Sequence, residues 1–243
     1  MAKIRILRKK SKENDEFIAL SDIMTALMLL FLLISIAYMI NIESTNKKLE
    51  ENARIPLIFK KTTQDLAYQL KQEFSDDLSI WGAVFDSELT IRFNQPDILF
   101  HTGSSELSIK FKQILDDFFP RYLTIIMNEE FIDNIEEIRI EGHTSSIWGN
   151  MTGNQAYLNN MALSQERTRA VLKYLINSPK LSSQQTKWLK KHFRAIGFAS
   201  ARTLNDDSEP VKDGEKENFK NSQRVEFRVR TNIESKISEL LKN

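Results

Sequence analysis

The sequence predicts an α/β protein: a single N-terminal transmembrane helix followed by an α/β sandwich domain in which helices cover a small sheet. Two observations carry this. Phe17 to Ile40 is an apolar run interrupted only by hydroxyl-bearing side chains and one acid, Asp22. From Ile80 onward, short runs of strand character alternate with runs of helical period, the pattern of helices layered on a sheet. The divisions that follow are a basic tail over 1–16, the span over 17–42, a helical connector over 43–79, the sandwich domain over 80–231 and a C-terminal helix over 232–243.

The apolar run contains neither Gly nor Pro, and as a helix it extends roughly 36 Å against a hydrocarbon core of about 30 Å. Lys3, Arg5, Arg8, Lys9, Lys10 and Lys12 precede it, whereas Glu43, Glu50 and Glu51 are mixed with Lys47 and Lys48 after it. The excess of basic residues puts the N-terminus in the cytoplasm and the rest of the chain outside it, as a signal anchor. A cleaved signal peptide has a shorter apolar region ending in small residues, and this run leads instead into Tyr38-Met-Ile-Asn-Ile. A basic tail is also chemistry for lipid head groups or nucleic acid, but topology accounts for it more simply.

Asp22 admits two readings. It lies near the N-terminal end of the run, so it can reach the membrane interface by its own length. Alternatively it is an ion-carrying group that faces protein, with Ser21, Thr25 and Ala26 giving a second helix room to approach.

Beyond the span, Leu66, Leu70 and Phe74 recur at spacing four and predict a packed helical connector, with Pro56 expected to break it. Ile80–Phe85 and Leu89–Phe93 read as a hairpin. Leu107, Phe111, Ile114, Leu115 and Phe118 keep a helical period, with Ser104 or Ser105 as the expected cap. Ile135 to Gly142 reads as a strand, Asn160 to Ile176 as a helix with Leu163, Val171, Tyr174 and Leu175 inward, Leu181 to Lys191 as another helix, Phe193 to Gly197 as a strand, and Arg224 to Arg230 as a final alternating strand. The polar stretch Ser200 to Asn221 reads as an exposed loop.

Composition excludes several classes. A net charge of +1 gives no bulk electrostatic case for direct nucleic-acid binding, and the absence of Cys removes disulfides and thiolate metal sites. The three His residues are scattered, and no serine, histidine and acid arrangement marks a nucleophile. The expectation is a protein that is not an enzyme, with no metal and no cofactor.

Four motifs in order, Phe100-x-x-Gly103-x-x-x-Leu107, Ile138-Arg-Ile-Glu-Gly-His-Thr144, Asn160-x-x-Leu163-Ser164-x-x-Arg167 and Arg224-Val-Glu-Phe227, resemble the peptidoglycan-binding domain of the OmpA and MotB type. Ser21-Asp-Ile-Met-Thr-Ala-Leu-Met28 resembles the transmembrane segment of MotB-like stator subunits, and within that group the closer likeness is to the stator-like subunits of the Zorya anti-phage system. The resemblance implies ion translocation at Asp22 and peptidoglycan binding through Asn160, Leu163, Arg167 and the turn at Ser145. In that family the turn carries Asp and grips an amine of the cell-wall peptide while the Arg holds a carboxylate. Here Ser145 replaces the Asp, and a hydroxyl cannot supply the ionic half of such a clamp. Trp148 and Tyr157, in a longer loop, are candidates for sugar contacts or loop anchoring, and His143 is expected to position its turn. The implied partners are a second copy of the chain, a surrounding ring of multi-helix MotA/ZorA-like subunits, peptidoglycan and the inner membrane. The implied activity is that of an ion-driven stator, H⁺ being favoured over Na⁺. A flagellar stator and a wall anchor that transports nothing remain the alternatives.

Overall fold

The computed structural model describes residues 2–86, 88–101 and 103–232. The chain divides into two compact units, one ending at Ile55 and one beginning at Pro56. Helix α1, Ala2–Phe74, contributes all of the first unit and the opening of the second. Pro56 does not break it. An interior proline costs a helix about 3 kcal/mol through its missing N–H, and apolar burial by Leu66, Leu70 and Phe74, all fully buried in the second unit, is large enough to outweigh that.

In the second unit α1 is followed by a helical turn, α2 (Leu78–Trp81), and strands β1 (Ala83–Asp86) and β2 (Thr90–Phe93). The start expected as strand is therefore helical, and Gly82, at φ 63, turns the chain between the two. Then come α3 (Pro96–Leu99), α4 (Ile109–Ile126), β3 (Ile135–His143), α5 (Gly153–Ile176), α6 (Ser183–His192), β4 (Phe193–Ala199), α7 (Phe219–Ser222) and β5 (Arg224–Thr231). The C-terminal helix expected over 232–243 lies outside the described residues apart from Asn232. The sheet order is β1-β2-β5-β3-β4, with β3 and β4 parallel and every other pair antiparallel.

Alternation gives the sheet two unlike faces. Ile91, Phe93, Ile138, Ile140, Val225, Phe227 and Val229 are buried against α4 and the end of α1. Phe118 of α4 is the hub, with ring centroids 5.2 Å from Phe74, 5.6 Å from Phe93 and 5.1 Å from Phe227, distances at which tilted aromatic pairs attract beyond simple area burial. Arg121 ties α4 to the end of α1: its Nε lies 2.7 Å from Glu73 and its Nη2 2.8 Å from Asp77.

Helix α4 begins later than the periodicity suggests. Its cap is Ser108, whose hydroxyl accepts from Phe111 N at 2.9 Å, not Ser104 or Ser105. It also contains Pro120. The proline leaves the Asp116 carbonyl without its helical donor, and the Lys180 ammonium donates to that oxygen at 2.8 Å. Helix α5 starts at Gly153, before the expected Asn160. The stretch 200–221 is largely solvent-facing but held: Leu204 is buried, and its N–H donates to Ser222 Oγ at 3.0 Å.

Phe74→Ala is expected to cost about 3–5 kcal/mol by leaving a cavity beside Phe118. Denaturant unfolding of the detergent-solubilised chain checks this, and a change below 1 kcal/mol would return Phe74 to a connector.

Candidate functional site

Helix α1 from Leu20 to Lys47 is the one segment among the described residues long and apolar enough to cross a membrane, and none of that window is buried within the chain. A core helix of a water-soluble domain would be covered; a wholly exposed apolar helix of this length needs an apolar surrounding. Three hydroxyls in it are satisfied locally, Thr25 Oγ1 donating to Ser21 O at 2.8 Å, Ser35 Oγ to Phe31 O at 2.7 Å and Thr45 Oγ1 to Asn41 O at 2.8 Å. Asp22 is exposed and has no partner among the described residues. Its carboxylate is therefore available to a proton, a cation or a donor on another chain.

The second candidate site lies at the C-terminal ends of β3 and β4, where α5 crosses them. Its closeness depends on two glycines. A Cβ on Gly142 would meet Ser164 O at 2.8 Å, and one on Gly197 would meet Gln165 N at 2.6 Å, so only glycine lets the helix backbone come this near. Ser164 Oγ accepts from Ala199 N at 3.1 Å and fixes the register of α5 on β4.

The residues implied by resemblance divide into different roles here. Asn160 is buried, and its Nδ2 donates to the carbonyls of Ser145 (2.9 Å) and Ile147 (3.0 Å), so it holds the loop after β3 from beneath. Ser145 is buried too, and its hydroxyl lies 3.5 Å from Ile147 O. Leu163 is half-buried. The loop closes in a tight turn, with Trp148 N–H to Met151 O at 3.1 Å and the reverse bond at 2.9 Å. Trp148 is half-buried, and Tyr157 on α5 is exposed.

Arg167 is the most unusual group of the set. It is only 6% exposed, its Nε donates to Ser104 O at 3.0 Å, and its guanidinium sits 4.8 Å from the centre of the Phe100 ring. No carboxylate pairs with it among the described residues, and burial pushes its pKa down to about 10. It remains charged at neutral pH, with two Nη groups free for a planar anion.

A residue that sequence reasoning missed closes the other side of the loop. Glu217 accepts from Ser146 N at 3.1 Å and from the Ser146 hydroxyl. The two residues are 71 apart in the chain, and no short-range pattern marks the contact.

The sheet face opposite the aromatic core carries a second feature absent from the sequence reading. His143 does not position its turn through side-chain hydrogen bonds. Its ring is stacked on Phe198 with centroids 5.1 Å apart, and its Nε2 lies 3.8 Å from Glu141 and 3.7 Å from Glu226. The three side chains bring ligand-type atoms within 4.8 Å of one another. The surroundings are wrong for a cation, however. Glu226 takes Arg224 Nε at 2.7 Å and Arg92 Nε at 2.9 Å, while Glu141 has Arg202 Nη1 at 3.2 Å and Arg228 Nε at 3.5 Å. Both carboxylates are already held by guanidiniums, and with Asp86 on Arg92 and Glu88 on Arg228 four acids balance the four arginines, so this is an ion network that fixes the strand ends. Burial raises the Glu226 pKa, but the charges of His143, Arg224 and Arg92 outweigh it and bring it to about 2. Burial holds His143 below its usual range.

Comparison with known proteins adds three findings. A model of the OmpA family matches residues 99–217. The Zorya protein ZorB of Escherichia coli (strain ATCC 8739) is 42% identical over 237 residues, covering 97% of this chain and 96% of that protein. Among solved structures, a putative MotB-like protein from Desulfovibrio vulgaris matches with a TM-score of 0.48 and 19% identity over 73% of this chain and 98% of that one. The periplasmic domain of Helicobacter pylori MotB matches with a TM-score of 0.40 and 18% identity, over 63% and 84% respectively.

Two predictions concern the ion network. A carboxyl lowered to about 2 in the fold from a usual 4.5 stabilises the fold fully above pH 4.5, and that contribution is lost as pH falls toward 2. His143, also lowered, adds a loss that begins below its usual 6.5. Thermal melts as a function of pH should follow this course, and Glu226→Gln should flatten the acid limb below pH 4.5; an unchanged limb in that variant would contradict the assignment. At pH 7, Glu226→Ala should cost about 3–5 kcal/mol by stranding the buried Arg224 guanidinium, which denaturant unfolding measures.

Proposed function

The chain belongs to the family of the Zorya protein ZorB, and from that premise we propose that it is a peptidoglycan-anchored stator subunit of an ion-driven inner-membrane motor acting in anti-phage defence. The observation that carries the ion-driven part is Asp22, the one charged side chain between Phe17 and Ile40 and a group without a partner among the described residues. A single helix cannot enclose an ion path, so the proposal requires other helices: two copies of this chain, each offering Asp22, inside a ring of multi-helix MotA/ZorA-like subunits. The basic residues before the span support a cytoplasmic N-terminus and a periplasmic sandwich domain.

Protonation cancels the Asp22 charge and loosens its hold on polar groups of the ring; loss of the proton restores that hold. Each charge moved down the membrane potential releases about 2.3 kcal/mol per 100 mV, enough to drive a step when several are coupled. H⁺ is the ion proposed, since a lone carboxylate with local hydroxyls forms no oxygen cage for a metal cation.

Holding the pair stationary falls to the sandwich domain. Arg167, buried and without an acid among the described residues, supports binding of a carboxylate of the wall peptide; Asn160 shapes the loop after β3, and Leu163 contributes a half-buried apolar contact. The role is mechanical, with no bond made or broken by the chain itself.

Asp22→Asn should leave the protein level and copurification of a multi-helix partner intact while abolishing phage protection in a plaque assay; full protection by this variant would remove the ion role and favour a passive wall anchor. Arg167→Ala should lower retention on purified peptidoglycan at least tenfold, as expected when a charge-assisted bidentate contact is lost.

A further inference from the structure

A cleft of about 730 Å³ lies over the charged face of the sheet, between the β1–β2 edge and the segment that follows β4. It has the size of a small-molecule site, yet charged and hydroxyl-bearing side chains line most of it, where such sites are commonly apolar. Helix α5 and Arg167 belong to the other face, where Gly142 admits the helix backbone. Arg92, Arg202, Arg224 and Arg228 of the ion network all line the cleft. Balanced by Asp86, Glu88, Glu141 and Glu226, they hold no charge over for an anion. The wall opposite is braced: Val211 N donates to Thr203 O at 3.1 Å, Asn205 N to Glu209 O at 2.9 Å, and Arg92 Nη1 to Ser208 O at 3.4 Å. The cleft is therefore formed before any ligand arrives.

What the cleft offers a ligand is hydrogen bonding. Arg202 is half-exposed, its guanidinium lies 4.4 Å over the Phe198 ring, and only its Nη1 is engaged, with Glu141. Its Nε and Nη2 remain as donors among the described residues. Glu209 is exposed, and its carboxylate has no partner among the described residues. The hydroxyls of Thr203 and Ser208 can each donate and accept. Val84, Pro210 and Val211 add apolar surface to the same cleft. We propose that this cleft is a carbohydrate site for an uncharged oligosaccharide of N-acetylated sugars. Sugar hydroxyls, each both donor and acceptor, pair with Arg202, Glu209 and Thr203, while ring C–H faces lie on the apolar side chains. An acetamido group brings the same complement, a C=O for Arg202 and an N–H for Glu209. The ligand of this chemistry that a periplasmic domain meets is the sugar backbone of the cell wall. That assignment rests on the wall-binding reading, and it gives the domain a second hold on the wall, across the sheet from Arg167.

The test is calorimetric titration of the full chain, in a detergent without a sugar head group, with three probes: the trimer of N-acetylglucosamine, the same trimer deacetylated to a cation, and the anionic trigalacturonate. The neutral trimer should bind with a Kd on the order of 1 mM, and both charged probes at least tenfold more weakly. Glu209→Ala should weaken the neutral trimer about tenfold, the size of one hydrogen bond to a charged group. Its melting temperature should stay unchanged, because that carboxylate braces nothing among the described residues. Arg202→Ala should weaken the trimer to a similar degree. No binding of the neutral trimer, tighter binding of either charged probe, or wild-type affinity in both variants would overturn the proposal. Trimer binding as expected, with full retention of Arg167→Ala on purified peptidoglycan, would remove Arg167 from the wall-peptide site and leave the cleft standing.

Discussion

A carboxylate on an apolar helix has to find its partner outside that helix, and this requirement organises what the chain can be. Asp22 sits in a segment where the Thr25 and Ser35 hydroxyls are already bonded to their own backbone and whose surface is uncovered. Nothing among the described residues offsets the cost of placing that charge in hydrocarbon, about 2.5–3.5 kcal/mol at a helix centre on insertion scales. Such a group persists where neighbouring helices or water receive it, which is why the proposed function begins with partners.

The sandwich domain solves a different problem with the same kind of group. Its sheet has one aromatic face, with Phe118 at the hub, and one charged face in which Glu141 and Glu226 are almost wholly buried beneath arginines. Both faces fix β3 and β5 as a rigid platform. On it, Gly142 and Gly197 admit α5 closely enough to bring Asn160 under the loop and Arg167 beside Ser104. The charges of the network are paired within the chain, whereas Arg167 has no carboxylate partner among the described residues. That contrast separates charges that build the fold from charges available to a ligand.

Much of this was legible in the residues. An acid inside an unbroken apolar run is visible without any structure, and the Leu-Ser-x-x-Arg stretch led to Arg167. Other features depend on contacts that periodicity does not encode. Leu66, Leu70 and Phe74 repeat at spacing four whether they face a coiled partner or a domain core, so their place in the core was not readable. Three serines precede α4 within five residues, and only the backbone geometry selects Ser108 as the cap. The alternation Arg-Val-Glu-Phe-Arg in β5 identified a strand, but burial of Glu226 depends on Arg92 from β2, far away in sequence. The contact of Glu217 with Ser146 is hidden for the same reason.

The central claim, that ions pass at Asp22, is tested most directly by proton flux. The complex of this chain with its multi-helix partners, reconstituted in vesicles with a pH-sensitive dye inside and an imposed membrane potential, should acidify the interior. The account predicts that Asp22→Asn complexes of the same composition stop that flux. Flux through the variant at the wild-type rate would contradict it.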